Sequence, residues 1–366
     1  MEEIKNITVP NFWVGQIEWV DSYVDSAIER LCHRNNISWA EKDRLVSDLL
    51  NTLWECKRRM SEVLSQAMVH ALPQSRILWR TLGDIFIWSE SKLKGKVNFD
   101  EALWALERGD NVLLISNHTS GADTLLMETL IMREYWYDVL RDAVYMSGHA
   151  VNLYLIPFLV SSCVNRLQIF STKYRSMAVS SNGILQDTGS TESEMRTQNL
   201  HSLRALNAHV RNGGKLVWLY PEWGRWEGQL KSGEPNTTCI PDIMSKSGKP
   251  LFILPVYVED VINILPVRRN DNEYNEYLEH INRWSGTVSI GRMVSWQSVC
   301  SVAEKQDSVR GWVLGTIWFP DGDEVKNMKT ALMMSLIADL APENKKRWVY
   351  GHEKVRAASA NLLQVS

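Results

Sequence analysis

The stretch that most constrains this chain is Ser116–Met127, which reads SNHTSGADTLLM. Before it, Asn111–Ile115 (NVLLI) is a short apolar run of the kind that forms a buried strand. After it, Leu125, Leu126, Thr129 and Leu130 recur at helical spacing. Between the two lies the polar turn Asn117-His118-Thr119-Ser120-Gly121-Ala122-Asp123. A strand that feeds a helix through such a turn is a building block of α/β proteins, which place their ligands and chemistry there. If Ser120 or a neighbour caps the helix, Asp123 falls in its first turn and points back at the imidazole of His118. A carboxylate on one ring nitrogen fixes the tautomer and raises the basicity of the other nitrogen. That makes a general base for a hydroxyl. The same spacing also fits a cap aspartate beside a strand-end histidine that does no chemistry.

The rest of the chain supports an α/β reading with a different beginning. Residues 1–95 read as helices with no strand between them. Trp13, Ile17, Val20, Val24, Ala27, Ile28 and Leu31 mark one apolar face, which ends at Asn35-Asn36. Ser38-Trp39-Ala40-Glu41 has the form of a capping box and opens a second helix through Leu45, Leu49, Leu50, Leu53 and Trp54. After Pro73, Ile77, Leu78, Leu82, Ile85 and Phe86 predict a third. Consecutive helices with short joins make a small bundle.

From residue 96 onward strands and helices alternate. Predicted strands are Ala143–Met146, Leu167–Ser171, Lys215–Tyr220, Leu251–Val258, Val288–Ile290 and Val313–Ile317. Pro255 marks its strand as an edge or a bulge, because proline has no N–H to give to a ladder. Predicted helices cover Glu101–Arg108, the residues after Ala122, Thr197–Arg211 and Met328–Leu340, and a frayed tail follows Ala357. Ser180–Ser193, rich in Ser, Gly and Thr, reads as a surface loop. The expected architecture is a helical bundle over 1–95 and an α/β domain over 96–366, with a mixed, largely parallel sheet covered by helices.

Composition removes several classes of function. A net charge of −3 gives no support to nucleic-acid binding. The five cysteines are scattered and lack C-x-x-C spacing, which argues for a reducing compartment and against a zinc site. The first residues, MEEIKNITVPNF, form no secretory signal, and no apolar run approaches the roughly eighteen residues of a transmembrane helix. The chain therefore reads as soluble, cytoplasmic or in an organelle stroma. The basic run Lys57-Arg58-Arg59 is too short for a membrane-binding helix, so membrane contact is at most peripheral. The sixteen tryptophans should lie mostly in the core or over apolar grooves.

A second polar segment, Tyr220-Pro221-Glu222-Trp223-Gly224-Arg225, also leaves the end of a predicted strand. Both segments should therefore open at the same sheet edge. Arg225 has the planar fork of donors that suits a phosphate or carboxylate, and Glu222 can orient a hydroxyl or pair with Arg225. Lys173 and Arg175 follow another predicted strand and form a candidate anion clamp. Val151–Val164 fits either the wall of an acyl-chain groove or an ordinary core segment. No Walker or dinucleotide glycine loop is present, and no histidine has metal-ligand spacing.

The ordered pair of motifs, Asn117-His118-x4-Asp123 and later Pro221-Glu222-x-Gly224-Arg225, resembles the glycerolipid acyltransferase superfamily. The closer resemblance is to the soluble glycerol-3-phosphate acyltransferases of plastids, over roughly residues 96–295. It extends through Phe170–Arg175, the helix Arg196–Gly214 (RTQNLHSLRALNAHVRNGG) and the strand and turn Leu216–Arg225. That family also places a small helical bundle before an α/β domain. The resemblance implies His118 as the base that deprotonates an acceptor hydroxyl and Asp123 as the residue that orients it. It further implies Lys173 and Arg225 as holders of the acceptor's phosphate, with Arg175, Glu222 and Gly224 beside them. The implied co-substrate is a thioester of acyl-carrier protein or coenzyme A. The acceptor is a small molecule, with glycerol 3-phosphate at its sn-1 hydroxyl leading, and no cofactor, metal or acyl-enzyme is implied.

Two positions depart from the family pattern. Glu227 stands where the family has a second arginine, and Tyr174 where it has a histidine. A carboxylate in place of a cation beside a phosphate weakens binding by about a kilocalorie or more. Arg175 can compensate. Otherwise the acceptor is a lysophospholipid or another alcohol or amine. A non-catalytic acyl-thioester or lipid-binding protein is the rival from outside the enzyme class.

Overall fold

The computed structural model describes residues 28–65, 67–135, 139–148, 161–169, 178–179, 185–186, 192–222, 233–265, 281–305, 313–314, 317–318, 324–342, 359–360 and 362. It is an α/β protein whose described residues group into two compact units. The first takes its residues from 1–89, 145–205 and 263–284, the second from 90–144, 206–262 and 285–366. The face predicted from Trp13 to Ala27, the Val151–Val160 segment and most of the Ser180–Ser193 loop lie outside the described residues.

In the first unit the capping box forms as the sequence predicts. Ser38 N–H donates to Glu41 Oε2 at 2.8 Å, and Glu41 N–H donates back to Ser38 Oγ at 3.3 Å. Helix α1 (Trp39–Ser65) follows and packs against α2 (Pro73–Phe86). Pro73 begins α2 rather than merely interrupting, because its missing N–H costs nothing in a first turn. Leu45, Leu49 and Leu53 of α1 and Leu78, Leu82 and Ile85 of α2 are buried. Trp54 and Ile77, read as part of the apolar pattern of these helices, are exposed. Between the helices lies a strand that periodicity did not predict. The two-residue β1 (Met68–Val69) pairs antiparallel with β5 (Asn165–Ile169). A strand this short is made by its partner, so it leaves no alternation to read.

The second unit is built on a mixed sheet. Its chain order begins with β2 (Lys92–Lys94), α3 (Lys96–Glu107), β3 (Asn111–Ser116) and α4 (Asp123–Tyr135). Next in the chain are β4 (Val144–Gly148), the hairpin of β6 (Ala178–Val179) and β7 (Leu185–Gln186), and helix α5 (Glu192–Val210), whose residues belong mostly to the first unit. Next come β8 (Leu216–Leu219), α6 (Cys239–Ser245), β9 (Leu251–Glu259) and the short α7 (Val261–Ile264). The chain closes with β10 (Thr287–Ile290), β11 (Val294–Ser295), α8 (Trp296–Lys305), the hairpin of β12 (Val313–Leu314) and β13 (Ile317–Trp318), and α9 (Glu324–Ala338). Within this unit the strand order is β8-β3-β9-β10-β2, with β11 also on β9. β3 is parallel to both β8 and β9, β10 is antiparallel to β9, and β2 is parallel to β10. All six residues of β3 are buried, the mark of a central parallel strand. Helices α3, α4, α8 and α9 pack on this sheet.

Three expectations need correction here. Residues 92–94, placed in an all-helical segment, form β2, again a strand defined by its neighbour. The single strand expected over Val313–Ile317 is a hairpin of two short strands. β9 is central rather than an edge, despite Pro255. On one side Pro255 stands opposite Ile115 of β3. On the other side β10 covers only Val256–Glu259 and β11 only Phe252–Ile253, so Pro255 falls in the gap between two partners. The missing N–H therefore deprives no ladder. Of the tail, the described Leu362 is fully buried and Ser359 Oγ donates to Asp339 Oδ2 at 3.3 Å, while residues 363–366 lie outside the described residues.

The tryptophans are not mostly core among the described residues. Trp79, Trp218 and Trp296 are buried, whereas Trp39, Trp54, Trp88, Trp104 and Trp284 are exposed. Some exposed indoles find partners on the surface: Lys42 Nζ sits 4.9 Å over Trp39, and Trp88 stacks with Trp284 at 6.3 Å.

Candidate active site

The described residues of the site lie at the C-terminal ends of β3, β8 and β9, in the second unit. β3 is held in place beyond its last ladder pair. Trp218 Nε1 donates to Ser116 Oγ at 2.8 Å, a bond that the fully buried indole needs. The buried side chain of Asn117 then acts as one more strand residue. Its Nδ2 donates to Val258 O at 2.8 Å and its Oδ1 accepts from Val258 N–H at 2.7 Å. The chain therefore leaves the sheet at His118 in a set direction.

His118 is anchored twice. Its backbone N–H donates to Glu222 Oε2 at 2.7 Å, and its Nδ1 lies 2.8 Å from Asp123 Oδ2. Asp123 is the first residue of α4 and is fully buried. Its Oδ2 also accepts from Thr119 N–H at 2.8 Å and Ser120 N–H at 3.1 Å, while Oδ1 accepts from Thr119 Oγ1 at 2.9 Å. An ionised carboxylate accepts only, so this network assigns the proton to Nδ1 and leaves Nε2 as the lone-pair nitrogen. The turn itself is closed by Ser120, whose Oγ accepts from Ala122 N–H at 2.9 Å. The side chain of His118 is 24% exposed and that of Asp123 is 0%, so one ring nitrogen is buried on its carboxylate while the ring keeps an open aspect. Chemically, an imidazole held in one tautomer by a carboxylate is an arrangement that can act as a general base.

The second sequence segment meets the first at its near end. Pro221 and Glu222 are buried, and Glu222 bridges to Gly233, with Glu234 N–H donating to Pro221 O at 2.8 Å. Gly233 is required by space: a Cβ there would lie 2.4 Å from the Thr330 methyl of α9. Glu222 was expected to orient a hydroxyl or to pair with Arg225. It holds the amide of His118 in addition to whatever else it touches. Lys173, Arg175, Gly224 and Arg225 lie outside the described residues, as do Tyr174 and Glu227.

Four neighbours were not singled out for the site by sequence reasoning. Asn117 has its clamp on Val258, and Thr119 has its two bonds to Asp123. Tyr220 stacks on the His118 ring with centroids 4.1 Å apart and planes 23° apart, and its hydroxyl lies 2.8 Å from Thr124 Oγ1. Tyr257 of β9 is buried, and burial, then the nearby Glu259, Asp260 and Glu222, push its phenol pKa above the usual value. Only adjacency to the motifs signals the first three, and nothing in the sequence signals Tyr257. Among the described residues no cluster of three or more His, Cys, Asp or Glu is placed to hold a metal ion. None of the described helices is long and apolar enough to cross a membrane.

No protein-family model matches the chain. Curated relatives do. It is 25% identical over 194 residues to the chloroplastic glycerol-3-phosphate acyltransferase of Phaseolus vulgaris, covering 48% of this chain and 40% of that protein. Against the corresponding Spinacia oleracea protein it is 24% identical over 228 residues, covering 59% and 46%. One from Cucurbita moschata gives 24% over 216 residues, covering 56% and 45%. The matches thus span less than half the length of these relatives. The chain is a distant, partial homologue of chloroplastic glycerol-3-phosphate acyltransferases.

Proposed function

We propose that this protein is an acyltransferase that moves a fatty acyl group from a thioester to an acceptor hydroxyl. The observation that carries the reading is the buried Asp123 carboxylate 2.8 Å from Nδ1 of a partly exposed His118. In the scheme, Nε2 of His118 takes the acceptor's proton as its oxygen attacks the thioester carbonyl. The imidazolium so formed is stabilised by Asp123. Collapse of the tetrahedral intermediate forms the ester, breaks the C–S bond and expels the thiolate, which recovers the proton from His118. No bond to the enzyme is made.

The distant relatives named glycerol-3-phosphate acyltransferase support the acyl transfer and make glycerol 3-phosphate, at its sn-1 hydroxyl, the leading acceptor. Acyl-carrier protein or coenzyme A carries the acyl group in this reading. Lys173 and Arg225, with Arg175, are the cations offered for the acceptor's phosphate, and Glu222 and Gly224 are further substrate-binding candidates. A second acceptor class, a lysophospholipid or an alcohol or amine without phosphate, is favoured by Glu227 two residues after Arg225.

The test is thiol release from acyl-coenzyme A and from acyl-carrier protein, with and without glycerol 3-phosphate, in wild type and His118→Ala. Release that requires glycerol 3-phosphate and falls about 100-fold or more in the variant is the expected result. Release that needs His118 but ignores glycerol 3-phosphate transfers the reading to another acceptor. Thioester binding without release, unchanged in His118→Ala, makes the protein a binder and overturns the proposal.

A further inference from the structure

We infer that Tyr220 is a positioning residue for His118, its ring holding the imidazole in plane and stabilising it once protonated. The inference rests on the reading of His118 as a base. Tyr220 directly follows β8, and because it precedes Pro221 its backbone is confined to extended conformations. The direction of its side chain is thus set locally. The ring lies 4.1 Å from the imidazole, nearly face to face at 23°. Its hydroxyl meets Thr124 Oγ1 at 2.8 Å, one residue after the aspartate that holds Nδ1. Both rings are therefore tied to the same helix start. A single hydrogen bond at Nδ1 does not fix the tilt of an imidazole ring, and a stacked face limits that tilt.

The contact also has an electrostatic consequence. The face of a phenol ring carries negative quadrupole density and attracts a cation within about 6 Å. His118 is neutral before proton transfer and cationic after it, so the attraction grows along the reaction and favours the step. Two acidic groups among the described residues bond to this histidine. Asp123 from α4 holds Nδ1, and Glu222 after β8 holds the backbone amide. At the end of β9 stand Tyr257, Glu259 and Asp260, which act on one another and with Glu222. All of these remain in a Tyr220 variant, so a difference between variants reports the ring.

The experiment follows the His118 ring by NMR in the full chain labelled with ¹³Cε1-histidine, with His118→Gln for assignment. In Tyr220→Leu the titration midpoint should move down by about half a pH unit, equal to about 0.7 kcal/mol. Tyr220→Phe keeps the face and should stay within about 0.2 unit of wild type. If Tyr220→Leu does not fold, phenylalanine and its ring-fluorinated analogues at position 220 keep the shape while draining the quadrupole. The midpoint should then fall stepwise with fluorination. In the thiol-release assay the acid limb of Tyr220→Leu should shift the same way, with kcat reduced and the thioester KM unchanged. An unmoved midpoint in Tyr220→Leu, or no trend with fluorination, overturns the inference. The titration needs no substrate, so absence of thiol release would remove the acyltransferase reading and leave this result standing by itself.

Discussion

Replacing Asp123 by asparagine separates the charge of the dyad from its hydrogen bonds. The carboxylate is fully buried and its Oδ2 accepts from His118 Nδ1, Thr119 N–H and Ser120 N–H. The amide oxygen of asparagine can occupy that position and accept the same three bonds. Its NH2 then faces Thr119 Oγ1, a hydroxyl that can turn from donor to acceptor. The shape and bonding of the turn are thus retained while the negative charge is lost. A carboxylate in contact with a histidine favours the charged ring by about 1–3 pKa units, or roughly 1.4–4 kcal/mol. Only part of that charge, about two thirds, has developed in the transition state, so kcat should fall by about 5- to 100-fold. The thioester KM should change little. Stability should drop by about 1 kcal/mol or less, the contribution of an acidic residue at a helix start. Asp123→Ala is the contrast, because it strands the backbone N–H groups of Thr119 and Ser120, the second of them buried, and should cost several times as much stability. Steady-state thiol release and urea unfolding measure both quantities. Activity of Asp123→Asn within threefold of wild type would refute the assignment of Asp123 as the group that stabilises the imidazolium.

Two further predictions concern the frame. Asn117→Ala leaves the N–H and C=O of Val258 without their side-chain partner, and should cost about 2–4 kcal/mol in urea unfolding; a loss below about 1 kcal/mol would show that water replaces the clamp. Glu41 in the capping box has its pKa lowered below 4.5, chiefly by the backbone N–H of Ser38, so its contribution is present above that pH and disappears as pH falls through the folded value. The melting temperature of wild type should therefore fall more steeply than that of Glu41→Gln on acidification below about pH 4.5, and parallel curves would contradict this.

Where a segment carried its own reason to fold, it could be read from the chain. The capping box at Ser38, the apolar run of β3, the turn at His118 and the helix after Ala122 all fall where local chemistry puts them. These elements need no distant partner to be recognised. β1 and β2 have two and three residues, and each exists because another strand lies alongside. Pro255 misled because the rule against proline in central strands assumes continuous partners on both sides, and here one side is shared by two interrupted strands. Trp54 misled in another way. It is apolar and sits within the pattern of α1, yet its side chain is exposed, because hydrophobicity at one position does not set which face that position occupies.

The site divides along the same line. The sequence alone determined that His118 and Asp123 would stand at either end of one short turn, because strand, turn and helix follow within a dozen residues and leave little freedom. It also determined that Glu222 would emerge from another strand end. Tertiary structure decided what those groups face. Val258 receives Asn117 across 141 positions, Glu222 reaches the amide of His118 across 104, and Tyr220 lays its ring on the imidazole. Those contacts depend on which strands lie side by side. Parallel neighbours β8, β3 and β9 bring their C-terminal ends to one edge through ladders formed between distant segments, and no local pattern records that order.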